Sequence, residues 1–202
     1  GISVGEDGAS HQCCEDIALM REIPGMVVIN PCDDVEARAA VKAAYEYVGP
    51  VYLRFGRLAV PVLNDESTYK FEIGKGVKLK DGNDISIIAT GLCVSEAVKA
   101  VDMLAADGID AEIINIHTIK PIDEDIIVET AQKTGRVFTV EEHSIIGGLG
   151  SAVAEVLAEK CPTKLTRIGV RDTFGESGPA KELLHKYELD AEGIYKQIKA
   201  AL

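Results

Sequence analysis

Residues 85–116 read ISIIATGLCVSEAVKAVDMLAADGIDAEIINI, and this stretch decides the fold that the sequence predicts. It opens on one apolar run, Ile85–Ala89, and closes on a second, Ala111–Ile116, each of strand length and rich in isoleucine. Between them, Val94–Ala106 carries valine and leucine at helical spacing, and Gly108 follows where a helix-ending glycine belongs. This order of strand, helix and strand predicts a parallel pair joined by a helical crossover.

The same alternation continues to the end of the chain. Two further β-rich runs, Val137–Glu141 and Leu165–Val170, follow at intervals of about 25 residues. Asp123 is a cap residue ahead of a helical pattern, and Gly135 lies where that helix should end. Residues 85–202 are therefore predicted to form a doubly wound α/β domain with a mostly parallel sheet. Its remaining helical segments are Asp123–Lys133, Gly148–Lys160 and Ala191–Leu202.

Upstream, short apolar runs alternate with helical patterns over residues 1–62. This order predicts a βαβαβ unit with parallel pairing, which is a portion of an α/β domain. Residues 63–84 hold glycines and no long apolar run, which predicts a linker and hairpin with a short strand near Phe71–Lys80. The predicted strands are Ile2–Val4, Met26–Ile29 and Val51–Leu53, and the predicted helices are Cys14–Ile23 and Val35–Val48.

The composition is that of an ordinary folded protein, with 47% hydrophobic and 27% charged residues among 202. A net charge of −12 leaves no basic stripe for nucleic acid or an anionic membrane, so neither partner is predicted. The five cysteines are odd in number and include the adjacent pair Cys13 and Cys14, which is typical of reduced thiols in the cytoplasm. No apolar run of about 18 residues and no metal-ligand spacing of histidines occurs, so no membrane span and no metal site are predicted.

The most polar loop is the octapeptide Gly5-Glu6-Asp7-Gly8-Ala9-Ser10-His11-Gln12. It follows a predicted strand, and the carboxyl ends of strands are where open α/β sheets bind ligands. Asp7 can accept a charge-assisted hydrogen bond, and His11 can relay a proton near neutral pH, so both are candidate ligand contacts. The alternative is a solvated turn in which Asp7 is only a cap. Ser10 and Gln12 are expected to brace the loop.

Arg54 follows the apolar run Val51–Leu53 and therefore also lies at the carboxyl end of a predicted strand. A guanidinium can hold a terminal phosphate through two parallel hydrogen bonds, which makes Arg54 a candidate contact for an anionic substrate. Arg57 is the rival candidate, because it lies only three residues further on. The alternative role is a surface ion pair with one of the many carboxylates.

A second glycine-rich turn, Gly147–Gly150, separates the run Val137–Glu141 from the next helical segment. It lacks the G-x-G-x-x-G spacing of a dinucleotide site, so close packing of a helix on the sheet is the favoured interpretation. Glu141, Glu142 and His143 precede it and are expected to be loop residues that support the neighbouring domain. An effector or interface site is the alternative.

These motifs together resemble transketolase, and specifically its C-terminal half. The resemblance covers all 202 residues. The chain reads Arg54-Phe55-Gly56-Arg57 where many transketolases read Arg-Gln-Asn, so both arginines stay candidates. The matching stretches are Gly5–Gln12 with the acidic Glu15, Val51–Arg54, Thr139–His143 with Gly147–Ser151, and Phe174–Gly178.

The resemblance implies a partial pyrimidine-binding-type α/β domain over residues 1–62 and a transketolase C-terminal-type α/β domain over residues 85–202. It implies transfer of a two-carbon ketol unit from xylulose 5-phosphate to ribose 5-phosphate or erythrose 4-phosphate, as in the pentose phosphate pathway. It further implies that Asp7 and His11 contact the sugar and that Arg54 contacts its phosphate.

Thiamine diphosphate and magnesium are the cofactors that the resemblance implies, bound mainly by a missing upstream part and a partner chain. No cofactor-binding residue is assigned to this chain. Because the chain begins at Gly1, we expect a piece of a longer polypeptide or the second subunit of a split enzyme, inactive alone. Its expected partner is the N-terminal part or subunit, in a cytoplasmic homodimer or heterotetramer.

Two alternatives remain open at this point. One is the corresponding part of a relative, either 1-deoxyxylulose-5-phosphate synthase or a 2-oxoacid dehydrogenase beta subunit. Glu6, the pair His11 and Gln12, and the loop Phe174–Gly178 argue against it. The other is a noncatalytic assembly or regulatory module, in which Asp7 and Arg54 variants of the complete enzyme should keep unchanged kinetics.

Overall fold

The computed structural model describes residues 1–202, which form eight strands and seven α-helices behind a short N-terminal 3-10 helix. The helices are α1 (Asp16–Glu22), α2 (Asp34–Glu46), α3 (Cys93–Ala106), α4 (Glu124–Thr134), α5 (Leu149–Lys160), α6 (Ala180–Lys186) and α7 (Ala191–Ala201). The strands are β1 (Val27–Ile29), β2 (Val51–Leu53), β3 (Val77–Lys80), β4 (Ile85–Ala89), β5 (Ala111–Asn115), β6 (Thr118–Lys120), β7 (Arg136–Ser144) and β8 (Lys164–Val170).

The larger sheet has the strand order β3-β5-β4-β7-β8. Strands β4, β5, β7 and β8 run parallel to one another, and only the edge strand β3 is antiparallel, to β5. The mostly parallel sheet predicted for this part of the chain is therefore confirmed. The strand predicted near Phe71–Lys80 exists, but it is shorter and covers only Val77–Lys80.

Both faces of the larger sheet are covered, as isoleucine-rich strands without polar alternation require. Ile87 of β4 packs in the cluster that holds α3 and α7, whereas its neighbour Ile88 packs in the cluster that holds α4 and α5. Both side chains are fully buried, and burying such a side chain stabilises the fold by roughly 1.5–3 kcal/mol. The two main core clusters thus lie on opposite faces of this sheet.

The smaller sheet has the order β2-β1-β6, with β1 and β2 parallel and joined through α2. Asp33 caps α2 by accepting a hydrogen bond from the Glu36 N–H at 2.8 Å. The third strand, β6, pairs antiparallel to β1 and comes from the C-terminal part of the chain. The two parts of the chain therefore share a sheet, which the sequence did not predict.

The segment Ile2–Val4 is not a strand, and that prediction is wrong. It belongs to a 3-10 helix over Ile2–Asp7, interrupted at Gly5, whose φ of 81° is open mainly to glycine. Side chains rather than a neighbouring strand satisfy its backbone: the Ser3 N–H donates to Glu142 and the Ile2 carbonyl accepts from Gln12. An apolar run as short as this one forms a strand only where a partner strand supplies a ladder.

Helix ends follow the predicted signals. Asp123 caps α4 by accepting from the Ile126 N–H at 3.4 Å, and Gly135 ends that helix with a left-handed φ of 65°. No helix has both the length and the apolar character needed to cross a membrane.

Candidate functional site

Gln12 braces the octapeptide loop and is buried, with 1% of the residue exposed. The Gln12 Nε2 donates to the carbonyls of Ile2 at 3.4 Å and of Gly5 at 3.2 Å. It also donates to the Glu176 carbonyl at 2.8 Å, which ties the octapeptide to the loop Phe174–Gly178. The expected bracing role of Gln12 is confirmed, and one amide fixes two loops that are far apart in the sequence.

Asp7 and Arg57 form an ion pair between the Asp7 Oδ2 and an Arg57 Nη. Both side chains are open to solvent, at 41% and 60% exposure. An exposed pair of this kind contributes little to folding, roughly 0–1 kcal/mol, so either charge can be given up to a ligand. The structure thus places a guanidinium and a carboxylate side by side at the surface.

His11 is exposed and lies at the rim of a cleft of about 330 Å³. The Ser10 Oγ lies 2.9 Å from His11 Nδ1, which leaves Nε2 as the ring nitrogen available to a ligand. Tyr52, Arg54 and Phe55 line the same cleft. The cleft therefore brings together an imidazole, an aromatic rim and a charged floor.

Arg54 forms the floor of that cleft and is almost fully buried, with its side chain 7% exposed. Its Nε donates to Asp16 Oδ2 at 2.8 Å, and its Nη1 lies 3.9 Å from Glu142 Oε1. Its Nη2 donates to the Cys13 carbonyl at 3.4 Å, and the Tyr52 hydroxyl donates to Asp16 at 2.7 Å. The positive charge of the Arg54 guanidinium is therefore already paired with two carboxylates of this chain.

The contacts among Arg54, Asp16 and Tyr52 determine which of these groups at the floor of the cleft are charged. Burial alone would raise the pKa of Asp16, but the Arg54 charge and the hydrogen bonds from Tyr52 and Arg54 outweigh it and hold the pKa below its usual value. Burial is also the main reason that the pKa of the Tyr52 hydroxyl is raised, followed by its hydrogen bond to Asp16. At neutral pH the floor is thus an ionised Asp16–Arg54 pair with a neutral Tyr52.

Of the predicted site residues, the structure brings together Asp7 and Arg57 in one ion pair, and His11 and Arg54 in one cleft. No hydrogen bond joins Asp7 to His11. The phosphate contact predicted for Arg54 is untested, and its paired state favours Arg57 for that task. Sequence reasoning missed Asp16, although an acidic residue in the first turn of a helix is a recognisable signal.

Glu141, Glu142 and His143 lie inside β7 rather than in a loop, so that expectation is wrong, and all three are buried. Of the three, Glu142 contacts the N-terminal segment through a hydrogen bond, because its Oε2 accepts the Ser3 N–H at 2.9 Å. Strand β7 is longer than predicted. It continues past the end of the apolar run, and Ser144 is still paired to Val170 of β8.

Glu141 caps the N-terminus of α5, since its carboxylate accepts the Leu149 N–H at 2.7 Å and the Gly150 N–H at 2.8 Å. A Cβ on Gly148 would lie 2.0 Å from Glu141 Oε2 and 2.6 Å from His143 Nδ1. Only glycine fits there, so the turn Gly147–Gly150 serves close packing of helix on sheet, as predicted.

The titration of Glu141 yields a stability prediction. Burial raises its pKa to about 7 from the ordinary 4.5, against the backbone N–H donors of Gly150 and Leu149 that lower it. The folded state therefore holds this proton more tightly, so the contribution to stability is full below about pH 4.5 and is lost as pH rises through 7. Thermal unfolding measures this effect. The free energy of unfolding of the wild type minus that of Glu141→Gln should fall by about 2–3 kcal/mol between pH 4.5 and pH 7. A difference that stays flat or rises with pH would contradict it.

The resemblance implies a metal-bound diphosphate that is held mainly outside this chain. No group of three or more His, Cys, Asp or Glu side chains is arranged to hold a metal ion. The two arginines beside the octapeptide, Arg54 and Arg57, both face carboxylates.

Comparison with protein-family models gives two matches. The model described as "Transketolase, C-terminal domain" matches residues 74–194, and the model described as "Transketolase, pyrimidine binding domain" matches residues 1–62. Together they include the octapeptide, both arginines and the glycine turn.

Several similar curated proteins carry transketolase names. The chain is 54% identical over 200 residues to a Methanocaldococcus jannaschii protein named as a transketolase C-terminal section. It is 45% identical to the 6-deoxy-6-sulfo-D-fructose transketolase subunit of a Clostridium species and 42% identical to an apulose-4-phosphate transketolase subunit of Phocaeicola vulgatus. These matches cover 97–98% of this chain but only 61–62% of each relative, so the chain spans less than two thirds of their length. It is also 39% identical to 1-deoxy-D-xylulose-5-phosphate synthase of Heliobacterium modesticaldum, of which it covers 30%.

Among solved structures, one described as "Split gene transketolase, inactive beta4 tetramer" has a TM-score of 0.92 at 49% identity, over 96% of this chain and 64% of that one. A mutant transketolase from Pichia stipitis has a TM-score of 0.76 at 27% identity, over 99% of this chain and 28% of that one. Because a family model matches more than half of its residues, the chain belongs to the transketolase family, with a pyrimidine-binding-type domain followed by the C-terminal domain.

Proposed function

We propose that this chain is the C-terminal part of a thiamine-diphosphate enzyme that transfers a ketol unit between sugars carrying a terminal oxyanion. The observation that carries the proposal is the exposed Asp7–Arg57 pair beside the cleft of His11. A sugar phosphate needs both kinds of group: donors and acceptors for its hydroxyls, and a guanidinium for its anionic end.

Each residue has a distinct task in this proposal. Asp7 accepts a hydrogen bond from a sugar hydroxyl near the bond that breaks, and His11 exchanges a proton with a hydroxyl or carbonyl oxygen. Arg57 leaves Asp7 and grips the oxyanion, and the cost of breaking their pair is small because it is exposed. Thiamine diphosphate supplies the electron sink for the two-carbon unit.

The identity of the substrate is part of the proposal. Two of the similar proteins are named for a 6-sulfo-fructose and for apulose 4-phosphate, so their names place either a sulfonate or a phosphate on the sugar. Both groups are tetrahedral oxyanions that a guanidinium binds through two parallel hydrogen bonds. Xylulose 5-phosphate as donor and ribose 5-phosphate or erythrose 4-phosphate as acceptors are the first pairs to test.

The chain is further proposed to act only after assembly. It contains no metal cluster, and it spans less than two thirds of its relatives. We therefore propose that an N-terminal part, or a separate N-terminal subunit, holds most of the thiamine diphosphate and its magnesium, in a homodimer or heterotetramer. The similar solved structure is described as an inactive beta4 tetramer, which supports the view that this part alone is inactive.

The test is ketol transfer from xylulose 5-phosphate to ribose 5-phosphate with thiamine diphosphate and magnesium. The chain is assayed alone and then mixed with a polypeptide covering the upstream part of a split relative. Activity only in the mixture is the expected result. A mixture that assembles but transfers no ketol unit between any phosphorylated or sulfonated sugars would overturn the proposal.

A second candidate is the corresponding part of 1-deoxyxylulose-5-phosphate synthase, which the 39% identity to that enzyme favours. The same mixture is therefore assayed for formation of 1-deoxyxylulose 5-phosphate. Product of that kind, without ketol transfer, would place this candidate first. If the mixture shows neither activity, a noncatalytic assembly module becomes the better proposal.

Asp7→Ala in the complete enzyme is expected to lower discrimination between epimeric ketose donors about 10-fold or more. The physical reason is that an epimer leaves the carboxylate unpaired at a cost of about 1–3 kcal/mol, and Ala abolishes that penalty. The melting temperature should stay nearly constant, because Asp7 is 41% exposed and lies in a loop. Asp34→Ala is the matched control, since Asp34 forms an exposed pair with Arg38 on α2. A lower melting temperature with unaltered donor preference would contradict the assignment.

A further inference from the structure

We propose that Arg54 is a positioning residue, which fixes the two ends of the substrate site relative to each other without contacting substrate. The inference rests on the proposed function, because the two ends are the octapeptide with Asp7 and His11 and the segment that carries Arg57. It assigns to Arg54 a task different from the phosphate contact that the sequence predicts.

The burial of Arg54 argues against a role as anion receptor. Its side chain is 7% exposed, and its two facing carboxylates, Asp16 and Glu142, are 10% and 3% exposed. A buried charge is tolerated where it is paired and hydrogen-bonded, and here that condition is met within the chain. A phosphate brought to the same guanidinium would meet two carboxylates at close range, and repulsion would oppose it.

The contacts of Arg54 reach both sides of the octapeptide. On the C-terminal side, the guanidinium donates to the Cys13 carbonyl at 3.4 Å and to Asp16, the first residue of α1, at 2.8 Å. On the N-terminal side, Glu142 pairs with Arg54 at 3.9 Å and accepts the Ser3 N–H at 2.9 Å. The loop between Ser3 and Cys13 is thus fastened at each end to one side chain.

The same residue fixes the arginine end of the site. The Arg54 N–H donates to the Ile29 carbonyl at 2.8 Å, which anchors it directly after β2 to the smaller sheet. Arg57 follows three residues later and pairs with Asp7. A shift of Arg54 therefore moves the octapeptide and Arg57 together. Such a shift changes the contacts to both ends of the substrate.

Lysine cannot replace this arrangement, because one ammonium group lacks the planar fork that reaches Asp16, Glu142 and the Cys13 carbonyl at once. Loss of the fork should displace site residues by a fraction of an ångström to an ångström. Displacements of about 1 Å away from the chemistry can lower rates about 100-fold.

Arg54→Lys in the complete enzyme is expected to lower kcat/KM about 10- to 100-fold, by the same factor for phosphorylated and unphosphorylated ketose donors. Assays are made well below the melting temperature of the variant. A loss confined to phosphorylated donors would show that Arg54 itself contacts the anion and would overturn the proposal. Unchanged kcat/KM with a lowered melting temperature would also overturn it, because the role would then be only structural.

Tyr52→Phe provides a second variant if Arg54→Lys does not fold, since it removes only the hydroxyl that donates to Asp16 at 2.7 Å. A smaller loss, shared equally by both kinds of donor, is expected. Hydrogen exchange in the assembled protein gives a readout independent of activity. Arg54→Lys should speed exchange in residues 3–13 and 55–58 together while β4 stays protected, and protection unchanged in both segments would overturn the inference. A wild-type assembly without ketol transfer would refute the proposed function and leave this exchange test to decide the role of Arg54.

Discussion

Arg57→Ala in the complete enzyme is expected to lower kcat/KM about 100-fold for phosphorylated or sulfonated donors and by less than about 3-fold for uncharged sugars. A hydrogen bond to a charged group is worth about 1.5–3 kcal/mol, and a guanidinium makes two of them to one oxyanion. Losing about 3 kcal/mol corresponds to about a 100-fold change in kcat/KM. The loss should appear mainly in KM, because the oxyanion is held equally in the ground state and the transition state.

Arg57→Lys separates charge from geometry in this experiment. Lysine keeps the charge but not the fork, so an intermediate loss is expected. Arg38→Ala is the matched control, because Arg38 has a side-chain exposure of 59%, close to the 60% of Arg57, and also pairs with an exposed aspartate. Equal losses for charged and uncharged donors would remove Arg57 from the anion site.

The C-terminal sheet could be predicted from the sequence because its strands are continuous apolar runs separated by helices of full length. Ile85–Ala89 matches β4 without error, and the predicted Ala111–Ile116 differs from β5 by one residue. Continuous apolar runs of this length, between helices, are typical of strands in a parallel sheet that is covered on both faces. By contrast, β6 has only three residues, and its pairing with β1 depends on a partner about 90 positions away in the sequence.

The N-terminal segment shows what local pattern cannot decide. Ile2–Val4 has the composition of a strand, yet its backbone is bonded by the side chains of Gln12 and Glu142. Glu142 lies 139 residues from Ser3, so no local window contains that interaction. The positive φ of Gly5 then allows the chain to turn instead of extending.

Arg54 and Arg57 show the same limit of prediction from local sequence, here at the candidate site. Both follow β2 within a few residues, and sequence alone offered each as a phosphate contact. The partners Asp16 and Glu142 distinguish them, because they bury and neutralise Arg54 and leave Arg57 to an exposed partner. Asp7 and His11 could be proposed from the octapeptide because their chemistry lies in one short loop; their substrate roles stay predictions.

Arg54→Met is expected to have the largest effect on stability, lowering the free energy of unfolding of the chain by about 3–5 kcal/mol at pH 7. Methionine fills much of the arginine volume, so the loss reports charge rather than a cavity. Asp16 and Glu142 would remain buried and facing each other with no cation between them. Urea unfolding at several pH values measures the effect. Arg57→Met is the control and should cost less than about 1 kcal/mol, because its ion pair is exposed.

The pH dependence identifies the cause of this loss. In the wild type, the Arg54 charge and two hydrogen bonds overcome burial and lower the pKa of Asp16, so this group stabilises the fold above its ordinary value of 3.8 and the gain disappears as pH falls through the folded pKa. Without Arg54 the pKa of Asp16 should rise, and protonation then relieves the repulsion from Glu142. The cost of Arg54→Met should therefore shrink from pH 7 towards pH 4, and adding Asp16→Asn should recover part of it at pH 7. A cost that is independent of pH and not relieved by Asp16→Asn would mean that packing, and not the buried charge pair, holds this cleft together.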